Sequence, residues 1–156
     1  LKFVGDVQHV FLNGEDVSEQ IRTPEASMMA SAVSAKPEVR AFLLDMQRRL
    51  ARENNVIMDG RDIGTVVLPD ATLKFFVTAS VDERAMRRYK ELKQKGMDVN
   101  FDDIYKDIET RDYNDSHREI APLKPAADSI MFDTTGNTLE ESIEKLIKII
   151  KERLSI

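Results

Sequence analysis

Three groups of residues in this sequence have types and spacings that can do chemistry. Asp59-Gly60-Arg61-Asp62 follows the apolar run Val56-Ile57-Met58, and in an open parallel sheet the carboxyl end of a strand is where ligands bind. Glycine lets the backbone approach a ligand, arginine offers a planar fork matched to phosphate, and the two carboxylates can serve a metal or accept from a base amine. A polar loop after a strand is the competing reading of so short a string.

The second group lies on a helix expected from Phe101 to roughly Arg118. At about 100° per residue, Phe101, Ile104 and Ile108 share one face, and Arg111, Asp115 and Arg118 continue it. A stripe that changes from apolar to charged points to a cleft, because burying three charges without a ligand is costly. The alternative is a kink near Tyr113-Asn114, leaving Arg111 and Asp115 as an ordinary surface pair that stabilises by about 0.3–0.5 kcal/mol. The third group is basic: Arg84, Arg87, Arg88, Lys90, Lys93 and Lys95 stand against the single acid Glu91. A solvated face usually explains such a run. Yet Val81, Ala85, Tyr89 and Leu92 form the apolar stripe of that segment with Arg88 inside it, so this guanidinium either snorkels or meets an anion, a polyphosphate being the simplest one. His9 and His117 have no metal-ligand spacing, and the sequence holds no Gly-x-Ser-x-Gly or His-Glu-x-x-His string, which removes hydrolase triads and zinc sites.

Elements must position these groups. The chain opens at Leu1 within an extended pattern, Lys2-Phe3-Val4 and then Val7 to Leu12, so the protein is expected to begin upstream. Asn13-Gly14 is a turn signal, with Val17 to Ile21 as a return strand. Thr23-Pro24 opens a helix to about Ser34. Lys36-Pro37 restarts a second helix with a buried stripe of Val39, Phe42, Leu43, Met46 and Leu50. Val56 to Met58 and Leu73 to Val77 read as strands buried on both faces. Ser80 caps a helix to about Lys95, Asn100 caps the next, and Ser129 to Phe132 is a third strand. Leu139, Ile143, Leu146, Ile147, Ile150 and Leu154 form the stripe of a last helix. Met28, Met29, Met46, Met58 and Met86 fall at core-like positions. Short strands separated by helices predict an α/β fold with a parallel sheet.

Composition narrows class more than function. The 156 residues fit one domain of ordinary size, and 42% hydrophobic content excludes a disordered chain. A net charge of −5 opposes a protein that grips nucleic acid through bulk positive charge. Absence of cysteine excludes disulfides and thiolate chemistry and agrees with a reducing compartment. With no export signal and no apolar run near 20 residues, a cytoplasmic location without membrane partners is expected.

Taken together, the sequence resembles bacterial cytidylate kinases, nucleoside monophosphate kinases that phosphorylate CMP. The strings that carry the resemblance span the chain: Arg22-Thr-Pro-Glu, Ser31 to Ser34 leading to Val39-Arg40, Asp59-Gly-Arg-Asp-Ile-Gly-Thr-Val-Val, Lys95-Gly-Met-Asp-Val-Asn, Glu109-Thr-Arg-Asp and Ala121-Pro-Leu-Lys-Pro-Ala-Ala-Asp. The resemblance implies that Ser31, Arg40 and Asp62 read the cytosine, that Arg61 and Arg118 hold the CMP phosphate, and that Arg111 and Asp115 face the ribose. It puts Asp59 near magnesium through water and makes Arg84, Arg87 and Arg88 lid residues over the ATP phosphates. Arg61, Arg88, Arg118 and Asp59 would then be catalytic, with Mg2+ arriving with ATP, and CMP, dCMP and ATP as the partners. The implied fold is that of a P-loop nucleoside monophosphate kinase, with 1–40 as the remainder of a CMP-binding subdomain, 41–83 with 113–156 as the α/β core, and 84–112 as the lid. The family's Gly-x-x-x-x-Gly-Lys-Ser loop has no counterpart among the six glycines. The family's central first strand and the loop's helix are therefore expected to be missing, the chain alone is expected to be inactive, and its unpaired sheet edges are expected to favour self-association. A non-catalytic nucleotide-binding or assembly module is the alternative, and a nucleic-acid binder ranks third.

Overall fold

The computed structural model describes residues 2–155, the side chain of Pro24 excepted. The chain divides into two compact units, Leu1–Asn54 and Asn55–Ile156.

In the first unit β1 (Lys2–Val4) and β2 (Val7–His9) form one antiparallel hairpin, and β3 (Phe11–Leu12) and β4 (Glu15–Asp16) form another. Asn13 and Gly14 both take positive φ, 51° and 91°, as a two-residue hairpin turn matched to strand twist requires. The return strand is Glu15–Asp16, not the expected Val17 to Ile21. Asp16 Oδ1 accepts from the Ser18 amide at 3.0 Å and the Ser18 hydroxyl at 2.5 Å, and this side-chain turn competes with the ladder. The chain then enters a 3-10 turn at Gln20–Arg22.

Thr23 Oγ1 accepts from Ala26 N at the start of α1 (Pro24–Ser34), and α2 (Pro37–Glu53) follows with proline again in its first turn. The expected stripe of α2 is only partly sheltered. Val39 and Leu43 are half-buried, but Phe42, Met46 and Leu50 are exposed. The better-covered side runs through Arg40, Leu44, Gln47 and Arg48. Met28, Met29, Met46 and Met86 are likewise exposed rather than core, and Met58 is half-buried.

The second unit holds the parallel pairing, β5 (Phe75–Thr78) against β6 (Ile130–Asp133), with Phe75 opposite Ile130 and Thr78 opposite Asp133. Val56-Ile57-Met58 is not a strand, and Val56 and Ile57 are exposed. A strand needs a ladder partner for its backbone groups, and among the described residues β5 and β6 pair only with each other. Three helices complete the unit: α3 (Val81–Gln94), α4 (Phe101–His117) and α5 (Leu139–Leu154). Ser80, Asn100 and Thr138 cap them, the last in a reciprocal capping box with Glu141. Ala85 and Leu92 bury the inner side of α3, Tyr89 meets Phe101 edge-on at 6.0 Å, and Phe75 meets Phe132 at 6.4 Å. The α5 stripe is covered only at Leu146 and Ile150, while Leu139, Ile143, Ile147 and Leu154 stay exposed. No helix among the described residues is long and apolar enough to cross a membrane.

Hydrogen bonds from the Ser18 hydroxyl, the Ser18 amide and the His9 ring, in that order, hold the Asp16 carboxyl down to about 2. A depressed carboxylate stabilises the fold fully above its unfolded value near 3.9 and ceases to as pH falls through its folded value. A carbon-detected NMR titration of Asp16 should therefore show a midpoint near 2, and Ser18→Ala should move it upward; a midpoint at the ordinary value in the unaltered chain would contradict the turn geometry.

Candidate functional site

The site in the second unit is built on the Asp115 carboxylate. Asp115 is only 8% exposed, one turn from the end of α4. Arg61 donates Nε to its Oδ2 at 2.8 Å. Arg111 Nε stands 3.9 Å from the same oxygen, and Arg118 Nη1 stands 3.9 Å from Oδ1. The face predicted from helical spacing holds for Phe101, Ile104, Ile108 and Asp115, which are half-buried or buried, and for half-buried Arg118, but Arg111 on the same stripe is exposed. Arg111 and Asp115 do make the i,i+4 pair of the alternative reading, with Arg111 exposed, but Asp115 itself is buried and also bonded by a residue 54 positions away.

The loop before it supplies Arg61 and Asp62. A Cβ on Gly60 would stand 2.9 Å from Ile63 Cγ1, so the turn closes tightly there. Asp62 then opens a π-helical turn, Ile63–Val67, where its carbonyl accepts from the amides of Val66 at 2.8 Å and Val67 at 3.2 Å. Such single wide turns recur at functional sites. The turn fixes the backbone from which the Asp62 carboxylate reaches to 3.7 Å from Arg118 Nη2. That Nη2 is buried and has no hydrogen-bond partner among the described residues. Asp62 and Asp115 against Arg61, Arg111 and Arg118 leave one positive charge in excess. Five of the expected ligand residues thus share one cluster.

Asp59 is exposed in the loop. Ser31 and Arg40 belong to the first unit and meet the α1–α2 corner, where Arg40 Nη1 donates to Ser34 O at 3.3 Å and the Ser34 hydroxyl donates to Ser31 O at 3.1 Å. The three expected lid arginines are engaged within the second unit. Arg84 grips Asp112 of α4 with both Nη atoms, at 2.9 and 2.6 Å, and donates Nε to Ala79 O. Arg87 donates to Glu83 Oε1, to Thr134 Oγ1 and O, and to Asn137 O. Arg88 snorkels to Glu91, whose carboxyl is held below its usual range by bonds from Lys95 and then Arg88. Sequence reasoning missed Asp112 and Thr134 as partners. Asp112 directly follows Arg111 in a recognised string, but nothing in the spacing indicates which arginine it meets.

The second unit thus gathers three guanidinium groups around one buried carboxylate on a parallel α/β frame. The family described as cytidylate kinase matches residues 1–152. Curated proteins named cytidylate kinase are similar along nearly the whole chain. The one from Fervidobacterium nodosum is 47% identical over 156 residues, covering all of this chain and 70% of that protein. Those from Leuconostoc mesenteroides and Caldicellulosiruptor bescii are 50% and 53% identical over 149 residues, 96% of this chain and 66% of each relative. The chain belongs to the cytidylate kinase family. It spans about two-thirds of the length of these curated relatives.

Removing one partner of a buried charge cluster costs roughly 3–5 kcal/mol, whereas a half-exposed pair contributes about 0–1 kcal/mol. Asp115→Asn should therefore destabilise the chain to urea by several kcal/mol and Arg111→Gln by less than about 1 kcal/mol. Equal effects would show that Asp115 is not the hub.

Proposed function

We propose that this chain recognises CMP or dCMP and belongs to an enzyme that transfers the γ-phosphate of ATP to it, giving CDP or dCDP. The observation that carries this reading is the excess of guanidinium over carboxylate around Asp115, with a buried Arg118 Nη2 that still has donors to give. A nucleotide phosphate near −2 charge suits that excess. Asp115 and Asp62 hold the guanidinium planes, so much of their orientation is set before a phosphate arrives, although buried Arg118 Nη2 has to be uncovered to reach it. Phosphoryl transfer asks a protein chiefly for positioning and for neutralisation of phosphoryl oxygens, and convergent arginines suit both tasks.

Base selection is assigned to Ser31, Arg40 and Asp62 on the resemblance to the family. Cytosine presents an N4 amine to a carboxylate acceptor and N3 and O2 to a donor, whereas uracil reverses the pattern at positions 3 and 4. Among the described residues no three His, Asp or Glu side chains gather into a metal site. On the resemblance to the family, magnesium is read as arriving with ATP, with exposed Asp59 reaching it through water. The lid role of Arg84, Arg87 and Arg88 requires each to exchange an intramolecular partner for phosphate.

Calorimetric titration tests the reading. CMP should bind, Arg118→Gln and Asp62→Ala should each weaken it by about ten- to a hundredfold, in line with charged hydrogen bonds of roughly 1.5–3 kcal/mol, and UMP should bind less well. Equal affinity for CMP, UMP and AMP would overturn it. The sequence as given holds no Gly-x-x-x-x-Gly-Lys-Ser string, so the purified 156-residue chain is expected to bind CMP without forming CDP from ATP. CDP formation in a preparation shown to be clear of host kinases would refute that expectation.

A further inference from the structure

The string Ala121-Pro122-Leu123 carries part of the family resemblance, yet no ligand role falls to it. Its backbone is unusual. Ala121 has φ 51°, in the left-handed region that alanine seldom visits, and it precedes a proline, whose ring further restricts the residue before it to extended conformations. Such outliers persist only where the surroundings over-determine them.

Two hydrogen bonds do so here. Arg118 is the C-cap of α4, with φ −64° and ψ 143°, so the chain leaves the helix at that residue. Three residues on, the Ala121 carbonyl accepts from Arg118 Nε at 2.6 Å. The amide of Leu123 then donates to the Asp115 carbonyl at 2.7 Å. The segment from 118 to 123 is folded back on the last turn of α4, and its return is tied to the two residues at the centre of the charge cluster.

A guanidinium has five N–H donors in one rigid plane. Fixing Nε therefore fixes where the Nη pair points. With Nε held by Ala121, Nη1 and Nη2 stand 3.9 Å from Asp115 Oδ1 and 3.7 Å from Asp62 Oδ1, near enough to be steered by the carboxylates and too far to be used up by hydrogen bonds to them. We infer that Ala121 is a positioning residue for the anion site: its left-handed backbone aims a carbonyl at Arg118 Nε and so orients the Nη donors of Arg118 for a phosphate-bearing ligand. This role rests on the proposed CMP reading.

The test pairs Ala121→Gly, which takes positive φ without strain, with Ala121→Val, which is β-branched and resists it. CMP affinity should be kept in Ala121→Gly and fall about tenfold or more in Ala121→Val. NMR of the Arg118 Nε–H should show slow solvent exchange in the unaltered chain and in Ala121→Gly, and fast exchange in Ala121→Val. A merely structural loop would lower the thermal midpoint of Ala121→Val without changing Arg118 Nε–H exchange, and that outcome overturns the inference. So does undiminished CMP affinity in a valine variant whose Nε–H has become fast. Should the valine variant not fold, the unaltered chain decides alone, because an Arg118 Nε–H exchanging like that of a solvent-exposed arginine refutes the contact. If the unaltered chain binds no CMP while its Nε–H is slow, the nucleotide reading fails, and the positioning role falls with it although the contact stands.

Discussion

A single buried carboxylate organises the second unit. Asp115 draws Arg61 from the loop that follows Met58, Arg111 from its own helix and Arg118 from the helix end, and its backbone carbonyl anchors the return of the chain at Leu123. Like charges do not collect unaided, so the carboxylate explains how three guanidinium groups come to lie together. It also limits what they can do. With Asp62 nearby, two carboxylates face three guanidinium groups among these five side chains.

How much of this was legible depended on whether the governing contact was local. Helix starts were readable because capping is decided within four residues: Thr23, Ser80, Asn100 and Thr138 each accept from an amide two or three positions on. The Arg111–Asp115–Arg118 face was readable because helical periodicity fixes it. Val56 to Met58 misled because an apolar run states a preference for burial and says nothing about which strand will supply its ladder. The α2 stripe misled in a different way, since pattern counting treats Arg40, Gln47 and Arg48 as outward although all three are half-buried. Arg61 reaching Asp115 and the left-handed turn of Ala121 had no periodic or compositional trace. Each is set by a long-range contact or by a backbone angle that the residue type disfavours.

Sheet and helices meet the same demand at another scale. The ends of β5 and β6 are fastened by side chains as well as by their ladder: Thr134 donates its hydroxyl to Thr78 O, the Ser80 amide donates to Thr135 Oγ1, and Arg87 spans from α3 to Thr134 and Asn137. Lys74, nearly buried, closes the opposite end on Asp128 and the Pro69 carbonyl, and its ammonium holds the Asp128 carboxyl below the usual range. A two-stranded parallel pairing is a weak element alone, and here polar clasps at both ends tie its strands to the neighbouring turns and helix.

The fork between Arg84 and Asp112 would make any binding of phosphate by Arg84 an exchange of one anion for another. A phosphate that claims Arg84 must evict a carboxylate already gripped by both nitrogens, so it gains only the difference between two ion pairs. Few small counterions are liberated by such a swap, and its equilibrium would depend weakly on ionic strength. Chloride, monovalent and unable to bridge both nitrogens as an oxyanion does, would compete poorly for the same guanidinium.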